Sequence, residues 1–145
     1  MKIVATTPLF NKLNLGAHVE IVLFNTPESF EAELKPLKGV KITRNPGKPK
    51  AIKFGLAFAT TQRQLDQVSK VMAAASEGDA VLWFAYPKGT SKRYTCDFNR
   101  DTGWSVIRDA GFDSVRQVAI DADWSALRFR RVEYVKSSPT SPGKR

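Results

Sequence analysis

The run Val81-Leu82-Trp83-Phe84-Ala85 contains no polar residue and stops abruptly at Tyr86-Pro87-Lys88-Gly89-Thr90-Ser91-Lys92-Arg93. An apolar run this short and this uniform suits a strand covered on both faces, and such strands belong to parallel, helix-flanked sheets. The polar loop that follows leaves from the carboxyl end of that strand. Open α/β sheets place their ligands there, so the pattern locates a site before it says anything about chemistry.

The flanking segments support this reading. Leu9 to Leu15 is a short amphipathic lead-in closed by Gly16, and Val19 to Phe24 is a strand. Asn25-Thr26-Pro27-Glu28 has the residues of a helix start, with a polar cap, an early proline and an acid near the positive end, so a helix from Pro27 to about Lys35 is expected. Val40 to Thr43 and Ala51 to Ala59 are strands, separated by the turn-rich Arg44 to Pro49. Leu65, Val68, Met72 and Ala75 recur at helical spacing after Thr60-Thr61-Gln62-Arg63, and Glu77-Gly78-Asp79 stops that helix. After the strand Ala80 to Tyr86 and its loop, a helix capped by its own Asp97 runs to Ala110, with Gly111 at its end. Val115 to Ile120 and Trp124 to Tyr134, separated by Asp121-Ala122-Asp123, form a hairpin. The expected fold class is α/β: a Rossmann-like three-layer sandwich whose mostly parallel sheet of about six strands is closed by a C-terminal antiparallel hairpin. Residues 1–135 are read as one domain and residues 136–145, polar and proline-rich, as a disordered basic tail.

At 145 residues the chain can bury roughly 70% of its unfolded surface, so it needs no disulfide or metal to fold. Its single cysteine, Cys96, and single histidine, His18, offer no metal-ligand spacing, and neither a Ser-His nor a Cys-His nucleophile pair is expected. Met1 to Thr7 lacks the regions of a signal peptide, and no apolar run approaches the roughly 20 residues of a membrane helix, so a cytoplasmic protein is expected. The formal charge is +9. Between Glu33 and Asp66 there is no acid, while Lys35, Lys38, Lys41, Arg44, Lys48, Lys50, Lys53 and Arg63 all fall there. Such a stripe is either a solvated face or a surface for nucleic acid, whose binding would weaken steeply with salt.

Tyr86-Pro87-Lys88, the small polar loop, Asp97, Gly111-Phe112 and the closing pattern Val-Ala-Ile-Asp-x-x-Trp-Ser-Ala-Leu-Arg-Phe from Val118 to Phe129 resemble the bacterial domain-of-unknown-function family 3052. The resemblance covers roughly residues 9 to 132 and is most specific in the second half. It implies a small domain similar to class I methyltransferases, and no settled activity. S-adenosylmethionine sites of that kind use a glycine-rich turn after the first strand and an acid after the second. Here the first turn is Phe24-Asn25-Thr26-Pro27-Glu28 and the second strand runs into Arg44-Asn45, so neither signature is present; nor is the Gly-x-Gly-x-x-Gly turn of a dinucleotide fold.

Lys88 is the leading candidate for a ligand contact, because a cation at a strand's carboxyl end meets a phosphate or carboxylate as a point charge. Thr90 and Ser91 would add hydroxyls, and Gly89 would let the backbone approach. Trp124 and Ser125 open the last strand near the same edge. Arg128 should project to the other side of the sheet from Leu127 and pair with Asp121 or Asp123, or bind an anion. Cys96 reads as packing. No catalytic residue, metal or named cofactor is implied. The function expected is a non-catalytic binding module for a small anionic, phosphate-bearing ligand. The alternatives are an S-adenosylmethionine-dependent methyltransferase-like enzyme with degenerate cofactor motifs, and a nucleic-acid-associated basic protein using the Lys35 to Lys53 stripe.

Overall fold

In the computed structural model, which describes residues 7–136, side-chain alternation along each strand divides the interior into two apolar cores, one on each face of a single sheet. On β1 (Glu20–Phe24), Val22 and Phe24 join one core, and Ile21 and Leu23 the other. The same period of two runs through β3 (Ile52–Phe58) and the inner part of β4 (Ser76–Pro87), where every residue from Ala80 to Pro87 is buried. The other strands are β2 (Lys41–Arg44), β5 (Phe112–Ala119) and β6 (Trp124–Arg131). They assemble in the order β2-β1-β3-β4-β6-β5, with the first four parallel and the β5–β6 hairpin antiparallel to β4 through β6. The fold is therefore the expected α/β three-layer sandwich with six strands.

Helix α3 (Gln62–Ala75) buries Leu65, Val68 and Met72 against one face, joined there by Ile107 of the short α4 (Ser105–Asp109). On the other face lie α1 (Pro8–Lys12), a 3-10 turn (Glu28–Phe30) and α2 (Glu31–Leu34), contributing Leu9, Phe10, Phe30 and Leu34. Trp83, fully buried on β4, donates its indole N–H to the Leu13 carbonyl at 2.7 Å and so satisfies a group in the segment after α1. Helix α5 (Val132–Lys136) follows β6; of the expected tail, residues 137–145 lie outside the described residues. Among the described residues no helix is long and apolar enough to cross a membrane.

Two helices differ from expectation. Thr26 does not cap a helix at Pro27: Pro27 is extended (φ −71°, ψ 153°), the turn begins at Glu28, and the Thr26 hydroxyl is buried without a partner. The helix expected from Asp97 to Ala110 is reduced to α4. Asn99 Oδ1 accepts from the N–H groups of Asp101 and Thr102, which bends the chain into a turn, and Gly103 sits at φ +95°, outside helical space. Asp97 is thereby released for another helix. Its carboxylate accepts from the Gln62 N–H at 2.6 Å, while Thr61 accepts from Gln64, so two free donors at the start of α3 are both satisfied.

The acid-free segment occupies the β2 edge and the helix-less connector 45–51, which returns from β2 to β3. Lys35, Lys38, Lys41, Lys48 and Lys50 are exposed. Arg44 pairs with Glu31 at 2.6 Å and Lys53 with Glu77 at 3.8 Å.

Two substitutions test this packing. Gly55 lies beneath α3, where an added Cβ would fall 2.6 Å from Met72 Sδ and 3.2 Å from Ile52 Cγ2. Gly55→Val should lower unfolding stability by about 1–3 kcal/mol in urea denaturation, and an unchanged midpoint would mean α3 is not held that close. Asp97→Ala should lose about 1 kcal/mol, although Asp97 is 35 residues distant in sequence from the helix it caps.

Candidate functional site

β4 has no solvent-facing side from Ala80 to Pro87, and beyond that buried stretch the chain reaches the surface at the strand's carboxyl end. There residues 88–104 form no helix or strand, and structureless loops beyond about 12–15 residues are uncommon outside functional roles. The loop roofs a cleft of about 730 Å³, within the range of small-molecule sites. Its floor is the end of β4 and the facing strands β6 and β5. Its wall is held by α3: the Gln62 side chain donates to the Gly103 carbonyl at 2.7 Å, in addition to the Asp97 contact. Trp104 donates its indole N–H to Asn99 and packs on Tyr86, Phe98 and Phe129, closing the apolar side of the wall.

Several donors line this cleft. Lys88 is half-buried; its backbone N–H is bound by the Asp123 carbonyl at 2.8 Å, and its ammonium has no ion-pair or hydrogen-bond partner among the described residues. Arg100 donates to Gln117 Oε1 at 3.2 Å, and Gln117 Nε2 donates to the Tyr86 hydroxyl at 3.0 Å. Burial raises the Tyr86 phenol above its ordinary pKa, so it is a protonated donor at neutral pH. Among the described residues, the one carboxylate lining the cleft, Asp97, accepts from the Gln62 N–H. Cys96 also lines it, with its thiol pushed up by burial and therefore a poor nucleophile.

A second, smaller opening lies where the connections of the sheet reverse direction, between the carboxyl ends of β1 and β3. Its volume is about 140 Å³, below the range of small-molecule sites. Asn25, at φ 57°, spans it: its side chain donates to the Phe58 carbonyl at 3.1 Å, and its backbone N–H donates to Asn45 Oδ1 at 2.9 Å. The ends of β1, β2 and β3 are thus bridged to one another by two asparagines, both in the left-handed region that asparagine tolerates.

The seven residues singled out in sequence do not form one group. Lys88, Gly89, Ser91 and Ser125 line the large cleft. Ser91, however, is not a spare donor: it gives its proton to Asp123 at 2.8 Å and accepts from the N–H groups of Arg93 and Tyr94, holding the turn after Lys88. Thr90 is exposed and outside the lining, and Gly89 has open space around it. Trp124 is buried between Phe58 and Tyr94 and borders the smaller opening, its indole N–H without a partner among the described residues. Arg128 does project away from Leu127, but it pairs with neither Asp121 nor Asp123. It reaches Asn14 Oδ1 at 3.3 Å, and burial, then Arg130, lowers its pKa. Asp121 and Asp123 are instead consumed by the hairpin turn and by Ser91. Sequence reasoning missed Tyr86, Arg100 and Gln117 as a group, since only strand register brings them together. Among the described residues no cluster of three or more His, Cys, Asp or Glu is placed to hold a metal ion.

No protein-family model matches the chain, and no curated protein matches it. Solved structures do share its fold. A SAM-dependent methyltransferase from Aquifex aeolicus aligns at TM-score 0.58 and 10% identity over 85% of this chain and 87% of its own. The N-methyltransferase NodS from Bradyrhizobium japonicum WM9 aligns at 0.54 and 12% over 85% and 92%. The fibrillarin pre-rRNA processing protein of Methanococcus jannaschii aligns at 0.50 and 8% over 90% and 71%. At such identities the likeness concerns architecture, and the chain has a methyltransferase-like Rossmann fold.

Proposed function

We propose that this protein is a methyltransferase-like binding module that takes a small anionic, phosphate-bearing ligand in the cleft at the end of β4, without catalysing a reaction on it. The observation that carries this reading is the pairing of an uncommitted Lys88 ammonium with the Arg100 guanidinium in a cleft of ligand size whose own carboxylate is already engaged. Arg100 meets Asp101 only along one edge, at 3.5 Å between exposed groups, a weak competitor for a phosphate. Of the residues that carry the resemblance to the bacterial family 3052, Tyr86, Pro87, Lys88, Asp97 and Ser125 line this cleft, and membership of that family is part of the same proposal.

A thermal-shift panel of nucleotides and sugar phosphates tests the reading. A ligand present at about 100 times its dissociation constant should stabilise the fold by roughly 2.7 kcal/mol and raise the midpoint by several degrees. Lys88→Ala should abolish that shift while leaving the unliganded midpoint unchanged. A shift that survives the substitution would locate the site elsewhere.

The second reading, an S-adenosylmethionine-dependent enzyme, is favoured by the fold likeness and opposed by the bridge that Asn25 makes across the β1–β3 opening. Equilibrium dialysis separates the two. With the crevice closed, the intact protein should retain no S-adenosylmethionine at millimolar concentration. Uptake at micromolar concentration would favour the enzyme.

A further inference from the structure

We infer that Tyr86 donates its phenolic proton to an oxyanion bound in the cleft, and that Gln117 is the positioning residue that turns that proton toward it. This inference rests on the cleft reading above and follows from hydrogen-bond bookkeeping. A guanidinium has donors only, so the Gln117 atom that meets Arg100 at 3.2 Å must be its carbonyl oxygen. The amide's orientation is thereby fixed, and its N–H₂ faces the Tyr86 hydroxyl at 3.0 Å. The phenol oxygen is therefore an acceptor toward Gln117, and its own proton is left to go elsewhere. Among the described residues no acceptor takes it, and Tyr86 lines the cleft. The sequence Arg100, Gln117, Tyr86 is a relay of donors with a cation at its head, each bond polarising the next, and its open end faces the cleft, where an oxyanion of the ligand would accept the proton in place of water. Ser125, opposite Tyr86 in the β4–β6 register, adds a hydroxyl with no partner among the described residues, and Lys88 supplies the full charge.

Strand geometry explains how Gln117 comes to stand there. The β5–β6 register slips by one residue between Ser114 and Arg116, a bulge that places Gln117 opposite Leu127, on the same sheet face as Phe112. Without the slip, strict alternation would send Gln117 to the opposite face.

Calorimetric titration of the full chain at constant ionic strength tests the relay, with inorganic pyrophosphate as the phosphate probe and citrate as the carboxylate probe. Tyr86→Phe keeps the ring that packs on Trp104 and Phe98 and removes only the hydroxyl, so binding should weaken about tenfold or more. Gln117→Glu, on an exposed position of the edge strand, would still accept from Arg100 but would also accept the phenol's proton, drawing it away from the ligand. It should weaken binding at least as much as Tyr86→Phe, and the double variant should lose less than the sum of the two single losses. A charge effect of the new carboxylate acts in both backgrounds, so the relay is the part of the Gln117→Glu loss that disappears when Tyr86 is Phe; equal losses in the two backgrounds overturn the relay. Binding weakened by Lys88→Ala but unchanged by Tyr86→Phe overturns the relay and leaves the cleft reading standing. Failure of the wild-type chain to bind either probe overturns both. Loss confined to the pyrophosphate arm supports a phosphate ligand, and loss confined to the citrate arm supports a carboxylate one in the same relay.

Discussion

The burial of β4 on both faces is the constraint from which the rest of the structure follows. Val81, Trp83 and Ala85 fill one core and Leu82, Phe84 and Tyr86 the other, so each face must be roofed. Helix α3 roofs one and the α1–α2 segments the other. The strand also sits at the seam of the sheet, parallel to β3 on one side and antiparallel to β6 on the other. A strand in that position has no free edge. Its loop must therefore rise over the carboxyl end, and it does so between two kinds of neighbour: the start of α3 and the hairpin turn of β5 and β6. Both fasten the loop, through Gln62 and Asp123; the loop then brings Lys88 and Arg100 to the cleft, and the strands beneath bring Tyr86, Gln117 and Ser125. The division between a floor of strands and a wall of loop is thus a consequence of topology before it is a property of any ligand.

The same topology shows why the fold does not decide the function. In an open α/β sheet the natural ligand position is the crevice where strand connections diverge, here between β1 and β3. This chain fills it with its own side chains. Asn25 replaces the close backbone approach that a glycine turn would permit, and hydrogen-bonds across the gap instead. Arg44, at the end of β2, is drawn to Glu31. Solved methyltransferases share the arrangement of strands, but the groups presented at this position are bridges within the protein.

The legible part of the fold was the part governed by periodicity. Strands Ile52–Phe58 and Ser76–Pro87 and helix Gln62–Ala75 were readable because burial on a sheet or against it imposes a period of two or of 3.6 over many residues. The location of the cleft was readable for the same reason, since Lys88 follows the end of such a strand. What resisted reading depends on contacts distant in sequence. Asp97 has the composition of a cap for the helix just after it, yet it caps α3, because Asn99 and Gly103 turn the intervening chain aside. Arg128 has two nearby aspartates, yet Asp121 is spent on the hairpin turn and Asp123 on Ser91, and its guanidinium reaches Asn14. Gln117 faces the cleft only because of a bulge, and a one-residue slip leaves no mark in composition.

The cleft wall carries a further physical consequence. Between Lys88 and Trp104 the chain has few backbone hydrogen bonds of its own, and it is fastened by side chains: Asp97 and Gln62 at the start of α3, Ser91 to Asp123, Trp104 to Asn99. Segments held this way open locally at lower cost than strands of the core. The floor beneath, built on β4 and β6, stays fixed. Residues offering charge, Lys88 and Arg100, sit on the loop, whereas the Tyr86 hydroxyl rises from the floor, so a ligand touching both would tie the loop to the strands beneath it. Because α3 is capped from that same loop, ordering it also fixes the start of α3, the longest helix among the described residues. The cleft and the helix that roofs one core are in this way coupled through two contacts, Asp97 to the Gln62 N–H and the Gln62 amide to the Gly103 carbonyl.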